Sequence, residues 1–229
     1  MHYCTETPGE GDVYDVHGDV RTGYMPWHSD LIYVDRINHG GALKVTVIPS
    51  REGYTGFIDK AALYAELDPE LRRQIEDKEV VYLGDFDAGN KKYGSRVETK
   101  HLTALTARTQ GKFVPVVHPA TFVHPETGQR ILNISPWTAI GLLGHEGPEG
   151  DALLDAVIRH CENESRAYFH SWKAGDVVVF DNWRMLHCAY GMPVGERRRM
   201  ERTTFHGDYG LGRVAREGDV IPDTLRINV

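Results

Sequence analysis

Two short segments carry residue types that bind metals. Trp27-His28-Ser29-Asp30 offers an imidazole and a carboxylate one residue apart, and Asp181-Asn182-Trp183-Arg184-Met185-Leu186-His187 offers a second imidazole far along the chain. In an extended strand His28 and Asp30 project from the same face, because side chains alternate with a period of two. One imidazole nitrogen and one carboxylate oxygen then converge on a single ion, and His187, expected after a buried strand, supplies a third ligand. Two histidines and a carboxylate on one face of an octahedron leave the opposite face open, the donor set of non-haem Fe(II) oxygen chemistry. Alone, the tripeptide reads first as a strand-end histidine and a turn-capping aspartate, since 12 histidines and 33 acidic residues produce such tripeptides by chance. The distal segment changes that reading.

The elements that must position these groups are mainly strands. Residues 13–16, 31–34 and 42–48 read as strands, the last alternating Leu43, Val45 and Val47 against Lys44 and Thr46. Asp59 is placed to cap a helix beginning Lys60-Ala61-Ala62-Leu63, and Asp68-Pro69 to start another, with proline in the first turn where its missing N–H costs little. Residues 79–83 return to strand. The polar stretch 84–111 is expected to be a long loop or lid. Strand-like runs follow at 113–117 and 129–134. An amphipathic helix comes after Pro148, with Leu153, Leu154, Val157, Ile158 and Cys161 on one face. Residues 167–172, 177–180 and 200–206 complete the strands. Many short strands with helical interruptions predict a mainly β chain with helices (α+β), a sandwich or jelly roll carrying helices on one side.

A chain of 229 residues fits one domain, 41% apolar and 26% charged, with a formal charge of −7. That balance argues against nucleic acid, which calls for a basic surface. Arg197-Arg198-Arg199 with Arg202 is too short a basic run to reverse it. No apolar run approaches membrane-spanning length, and the segment at Met1 lacks the basic start and apolar stretch of a signal peptide, so no membrane and a cytoplasmic location are expected. Cys4, Cys161 and Cys188 read as free thiols.

The ordered motifs resemble the Fe(II)- and 2-oxoglutarate-dependent taurine dioxygenase-like family. The resemblance runs from about Val13 to Tyr209. It rests on Trp27-His28-Ser29-Asp30, Gly53-Tyr54-Thr55 and the following Ala61-Ala62-Leu63-Tyr64. It continues with the His-Pro pairs at His118-Pro119 and His124-Pro125, then Gly175-Asp176 through Asp181-Asn182 to His187. It closes with Arg197-Arg198, Arg202-Thr203-Thr204 and Gly207-Asp208. It implies a double-stranded β-helix (jelly roll) with helical insertions, an iron site of His28, Asp30 and His187, and O2 and 2-oxoglutarate as cosubstrates. Arg198 stands where this family places the arginine for the far carboxylate of 2-oxoglutarate, a task suited to a planar guanidinium fork. Thr55 matches the family's hydroxyl donor to the cosubstrate. Arg202, four residues on and so on the same strand face, matches a position that meets the cosubstrate region or an anionic substrate group; a structural ion pair is the competing role. Arg197 and Arg199 are expected at the surface, Cys188 pointing away from the metal, and Trp27 packed into the scaffold. His118 and His124 are expected as turn residues near the site, and no role is assigned to His145 or His206.

The activity so implied is oxidation of a C–H bond of a small molecule, possible substrates being a sulfonate or carboxylate, with release of succinate and CO2. An aspartate at position 30 favours hydroxylation or desaturation over halogenation, which needs the coordination position the carboxylate fills. Residues 1–229 are expected to form a single domain that lacks much of the family's usual N-terminal portion, with a homo-oligomer as one way to cover the gap. Two rivals remain at this stage. One is a noncatalytic small-molecule or metal-binding jelly roll. The other is a zinc hydrolase using the same ligands, which gives Arg198 no role and lacks the helical motifs such enzymes use.

Overall fold

The computed structural model describes residues 2–6, as backbone alone, together with 11–207 and 210–220. The side chain of Cys4 and the last residues of the resemblance, Asp208 and Tyr209, lie outside the described residues.

The chain opens with strands β1 (His2–Glu6), β2 (Val13–Val16), β3 (Asp19–His28), β4 (Gly40–Val47) and β5 (Thr55–Asp59). Helix α1 (Lys60–Glu66) follows, its first turn capped by the Asp59 carboxylate, which accepts from Ala61 N–H. Asp68 caps α2 (Pro69–Ile75) in the same way, with proline in its first turn. Then come β6 (Glu79–Tyr82), β7 (Glu98–His101), α3 (Ala104–Thr109), β8 (Val116–Pro119), β9 (Thr121–Val123), β10 (Arg130–Leu132) and β11 (Ala139–Leu142). Helix α4 (Pro148–Cys161) buries Leu154, Val157, Ile158 and Cys161 on the stripe its sequence period predicts. The chain closes with β12 (Tyr168–His170), β13 (Val177–Asp181), β14 (Met185–Pro193), β15 (Arg198–Phe205) and β16 (Arg213–Val214).

Two sheets form the jelly roll. One runs β1-β15-β4-β13 and the other β12-β5-β14-β3-β2-β7. Between them lie Leu43, Val45 and Met200 from the first sheet, Phe57 from the second, and Phe180 and Trp172. The larger core packs Trp27, Cys188 and the buried face of α4 behind the second sheet. Gly56 allows that closeness: a Cβ there would meet the Trp27 ring at 2.6 Å and Cys188 Sγ at 2.8 Å.

Three expectations are corrected. Residues 31–34 are turn and bend, not strand. β3 ends at His28, and Leu31 takes a left-handed conformation, φ 57°, which costs roughly 1–2 kcal/mol for a side-chain-bearing residue and swings the chain off the sheet. Strand alternation therefore does not bring Asp30 beside His28; the turn does. The stretch 84–111 is not structureless either, since β7 pairs with β2 and α3 follows it. It is tied down by the acidic side of α4. Lys91 pairs with Glu162 at 2.6 Å, Lys92 with Asp151 at 3.0 Å, and Gly94 N–H donates to Asp155 at 2.7 Å. Those lysines and acids are spread over two segments, so no local pattern in the sequence announces the fastening.

Candidate metal centre

β14 runs antiparallel to β3 with His187 directly opposite His28. The two imidazole centroids stand 4.2 Å apart. From the turn beyond β3, Asp30 reaches between them: its Oδ1 lies 3.7 Å from Nε2 of both His28 and His187. All three residues are buried, and among the described residues this is the one group of three that could hold a metal ion. His28 Nδ1 lies 2.7 Å from Pro26 O; the carbonyl can only accept, so that nitrogen carries a proton and Nε2 is the nitrogen turned to the triad. Asp30 Oδ2 and His187 Nδ1 are buried without a hydrogen-bond partner. A buried carboxylate oxygen left unmet is costly, and a cation at the triad would relieve it. Two imidazole nitrogens and a carboxylate fit Fe(II).

Electrostatics agree. Burial pushes the His187 imidazole down to about 3, with the facing His28 adding to the effect, so it is neutral and able to ligate. Burial alone would raise the Asp30 carboxyl, but the cationic charge beside it outweighs that effect and holds Asp30 well below the usual carboxylate range. The standing cation is Arg202, whose Nη1 donates to Asp30 Oδ1 at 2.8 Å.

Beneath the triad lies a buried polar cradle. Asn182 Oδ1 accepts from Asp30 N–H at 2.8 Å, while its Nδ2 donates to Asp30 O at 2.9 Å and to Asn38 O at 3.1 Å. The turn carrying Asp30 is thereby fastened to the end of β13. Asn182→Ala is expected to destabilise the fold by about 2–4 kcal/mol, because it strands buried backbone groups. It should also weaken metal binding about 10- to 100-fold, as loss of a ligand-orienting partner does. Thermal melting and chelator competition measure the two; unchanged metal affinity would mean the turn holds its shape without Asn182.

Lys60 is fully buried in the same cradle, its Nζ donating to Ser29 Oγ at 3.0 Å and to Asn182 O at 3.3 Å. Burial pushes its ammonium down to about 7, with Asp181 opposing. The folded value lies below the unfolded one of about 10.4, so the unfolded chain binds more protons between the two and stability rises with pH across that window. The cost of the buried charge is complete below pH 7 and gone above about pH 10.4. Lys60→Met is expected to add about 1–4 kcal/mol at pH 6, shrinking towards pH 10, as read by urea unfolding at both pH values. A difference that does not change with pH would contradict a buried charge.

Two cavities are lined by residues of the triad: one of about 350 Å³ by His28, Asp30 and Arg202, and a smaller one by His28, His187, Leu43, Met200, Thr55 and Arg198. Arg198 Nη2 donates to Thr55 Oγ1 at 3.1 Å, and Trp172 Nε1 donates to the same oxygen at 3.0 Å. With both acceptor positions of that hydroxyl used, its proton remains to be donated into the cavity. Arg198, Met200 and Arg202 all face inward, as the even spacing predicts, while Arg197 and Arg199 are exposed. Arg202 contacts the candidate ligand Asp30 and also lines both cavities, so its ion pair sits inside the site.

Among the remaining expectations one is corrected: His118 is not a turn residue but lies in strand β8, where it pairs into the sheet against β6. Trp27 and Cys188 pack in the scaffold core. His118 holds Val34 O at 2.9 Å and His124 holds the Asp181 carboxylate at 2.9 Å, so each braces a ligand-bearing segment. His145 lies by Lys78, and His206 is exposed. Sequence reasoning missed Trp172, Lys60 and the role of Asn182. Only the Asp-Asn pair ahead of His187 carried any signal for them.

The family description "Taurine catabolism dioxygenase TauD, TfdA family" matches residues 3–204. The chain belongs to that family. It is 30% identical over 192 residues to an (S)-phenoxypropionate/alpha-ketoglutarate-dioxygenase of Sphingobium herbicidovorans, covering 81% of this chain and 63% of that one. It is 28% identical over 186 residues to a pentalenolactone F synthase of Streptomyces arenae, covering 78% and 60%. The chain thus spans about three fifths of the length of these curated relatives. Among solved structures, AAD-2 in complex with Mn(II) and N-oxalylglycine superposes with a TM-score of 0.68 at 26% identity, covering 81% of this chain and 70% of that one. A taurine dioxygenase from Burkholderia xenovorans gives 0.66 at 23%, covering 83% and 64%, a likeness of fold. Among the described residues no helix is long and apolar enough to cross a membrane.

Proposed function

We propose that this chain is an Fe(II)- and 2-oxoglutarate-dependent dioxygenase that hydroxylates a C–H bond of a small anionic substrate, a sulfonate or carboxylate, releasing succinate and CO2. The observation that carries the reading is that the cavity lined by Thr55 and Arg198 is also lined by His28 and His187, two members of the cluster that Asp30 completes. Relatives named for alpha-ketoglutarate-dependent action on sulfate esters and on 2,4-dichlorophenoxyacetate support it.

In this reading His28, Asp30 and His187 hold the iron on one face. Bound there, iron supplies the redox chemistry that couples decarboxylation of 2-oxoglutarate to oxidation of the substrate. Arg198 pairs with the far carboxylate of the cosubstrate, and Thr55 donates its remaining proton to the same group. Arg202 keeps Asp30 ionised and offers its second face to cosubstrate or substrate. The buried surroundings keep bulk water from the reacting atoms. We read residues 1–229 as one domain of a cytoplasmic enzyme working on small molecules, without nucleic acid or membrane, and forming a homo-oligomer.

Anaerobic titration of the Fe(II)-loaded protein with 2-oxoglutarate is the test. The weak visible charge-transfer band of the chelate is expected. With iron verified as bound, no band at saturating 2-oxoglutarate would overturn the dioxygenase reading in favour of a noncatalytic binding protein.

A further inference from the structure

Among the described residues, three that bear a side chain take the left-handed conformation. It is costly for such residues and persists only where the surroundings hold it. His17, φ 55°, shares the two-residue hairpin turn between β2 and β3 with Gly18, where that conformation is ordinary. Leu31 turns the chain at the triad. Glu52, φ 63°, followed by Gly53 at φ 72°, belongs to neither case. Its turn lies between β4 and β5 and leads straight into Thr55.

That turn packs on the groups of the smaller cavity. Gly53 N–H donates to Gly191 O at 3.1 Å and Tyr190 N–H to Tyr54 O at 3.0 Å, which ties the turn to β14. A Cβ at Gly53 would meet Pro49 Cγ at 2.6 Å and Arg198 Cδ at 3.6 Å. The turn thus abuts the stem of Arg198 while its chain runs on into Thr55, and those two residues bond each other. Arg21, from β3, is what holds Glu52. It is only 7% exposed. Its Nη1 donates to the Glu52 carboxylate, its Nη2 to Asp19 Oδ2 at 3.1 Å, and its Cζ lies 4.5 Å over the Tyr190 ring. The Asp19 side chain is largely in solvent, whereas that of Glu52 is half-buried, so Glu52 is the partner that a buried guanidinium depends on. The other fastening of this connection, Ser50 to Glu196, is at the surface.

We propose that Arg21 and Glu52 are positioning residues for the cosubstrate pocket: their ion pair holds the left-handed turn, and the turn holds Thr55 and Arg198 at the spacing needed to grip one carboxylate together. Neither residue lines the two cavities at the triad, so both act through the turn. This rests on the dioxygenase reading for what Thr55 and Arg198 bind, and adds how the pair is kept in place. The role has a signature. Alanine at position 52 loses the ion pair and keeps the cost of the left-handed conformation, whereas glycine loses both together.

The test titrates 2-oxoglutarate into Fe(II)-loaded protein without oxygen and reads the chelate band. The variants are Glu52→Ala, Glu52→Gly, Arg21→Met and the double variant Arg21→Met with Glu52→Gly. Glu52→Ala and Arg21→Met are each expected to need about tenfold more 2-oxoglutarate, because the turn becomes the minor conformer. Glu52→Gly should stay within about threefold of wild type and should bring the double variant back to the same range. Fe(II) affinity, by chelator competition, should be unchanged in all four; a general loss of stability would lower it and would not be reversed by glycine. Equal weakening by alanine and glycine, or an unchanged titration in Glu52→Ala, overturns the proposal. Amide exchange of Gly53, measured without iron or cosubstrate, reads the turn by itself and should be faster in Glu52→Ala than in Glu52→Gly. Faster exchange with an unchanged titration overturns the positioning role and leaves the dioxygenase reading standing. No band in the wild type with iron bound overturns the dioxygenase reading, and the exchange pattern then upholds or overturns the hold of Arg21 on the turn.

Discussion

Asp30→Ala is expected to lower Fe(II) affinity by ~10³-fold or more and to abolish succinate formation, with the fold retained. The carboxylate is the single anionic member of the triad, and its Oδ2 is the buried oxygen that has no other partner. Losing a residue that merely orients a ligand costs about 10- to 100-fold in metal affinity, and losing the ligand itself costs more. The substitution also removes the partner of Arg202, leaving a guanidinium facing the metal position without a neutralising charge. Both effects act in the same direction. The fold should tolerate the change because the Asp30 backbone is held by Asn182 through its N–H and C=O, independently of the side chain. Chelator competition with circular dichroism as a control measures both. Fe(II) binding at wild-type strength would remove Asp30 from the ligand set.

Arg198→Ala should raise the 2-oxoglutarate concentration needed for half of the chelate band by ~100-fold, because it strands a carboxylate in a closed cavity without its cation. The metal site should be untouched, since Arg198 bonds Thr55 and not the triad. Iron affinity and cosubstrate affinity therefore separate in this variant, whereas Asp30→Ala removes both. Arg198→Lys keeps the charge but loses the planar fork and should recover only part of the affinity, ending about tenfold below the wild type. An unchanged titration in Arg198→Ala would move the cosubstrate anchor elsewhere, Arg202 being the next cation along the strand.

The order of motifs along the chain determined the family and, by resemblance, the residues of the candidate site. His28, Asp30, His187, Thr55, Arg198 and Arg202 all meet around two joined cavities. Local chemistry also determined elements whose signals are contained within a few residues. The Asp59 and Asp68 caps and the apolar stripe of α4 depend on neighbours three or four positions away. The inward face of β15 follows from alternation alone.

What lay beyond the sequence were the features set by contacts between distant segments. Residues 31–34 carry strand-forming side chains, yet Leu31 turns the chain out of the sheet so that Asp30 can face two histidines on paired strands. Propensity there yields to the register of β3 against β14. The 84–111 segment looked like a loop because its fastenings are single ion pairs and hydrogen bonds to α4, far away in sequence. The Asn182 and Lys60 cradle, the doubly engaged Thr55 hydroxyl and the Arg21–Glu52 ion pair are products of three-dimensional packing. The sequence by itself determined which groups could bind a metal and a dicarboxylate, because residue type and order carry that chemistry. Only the tertiary structure decided how they are held, because burial and partner choice are properties of distant segments brought together.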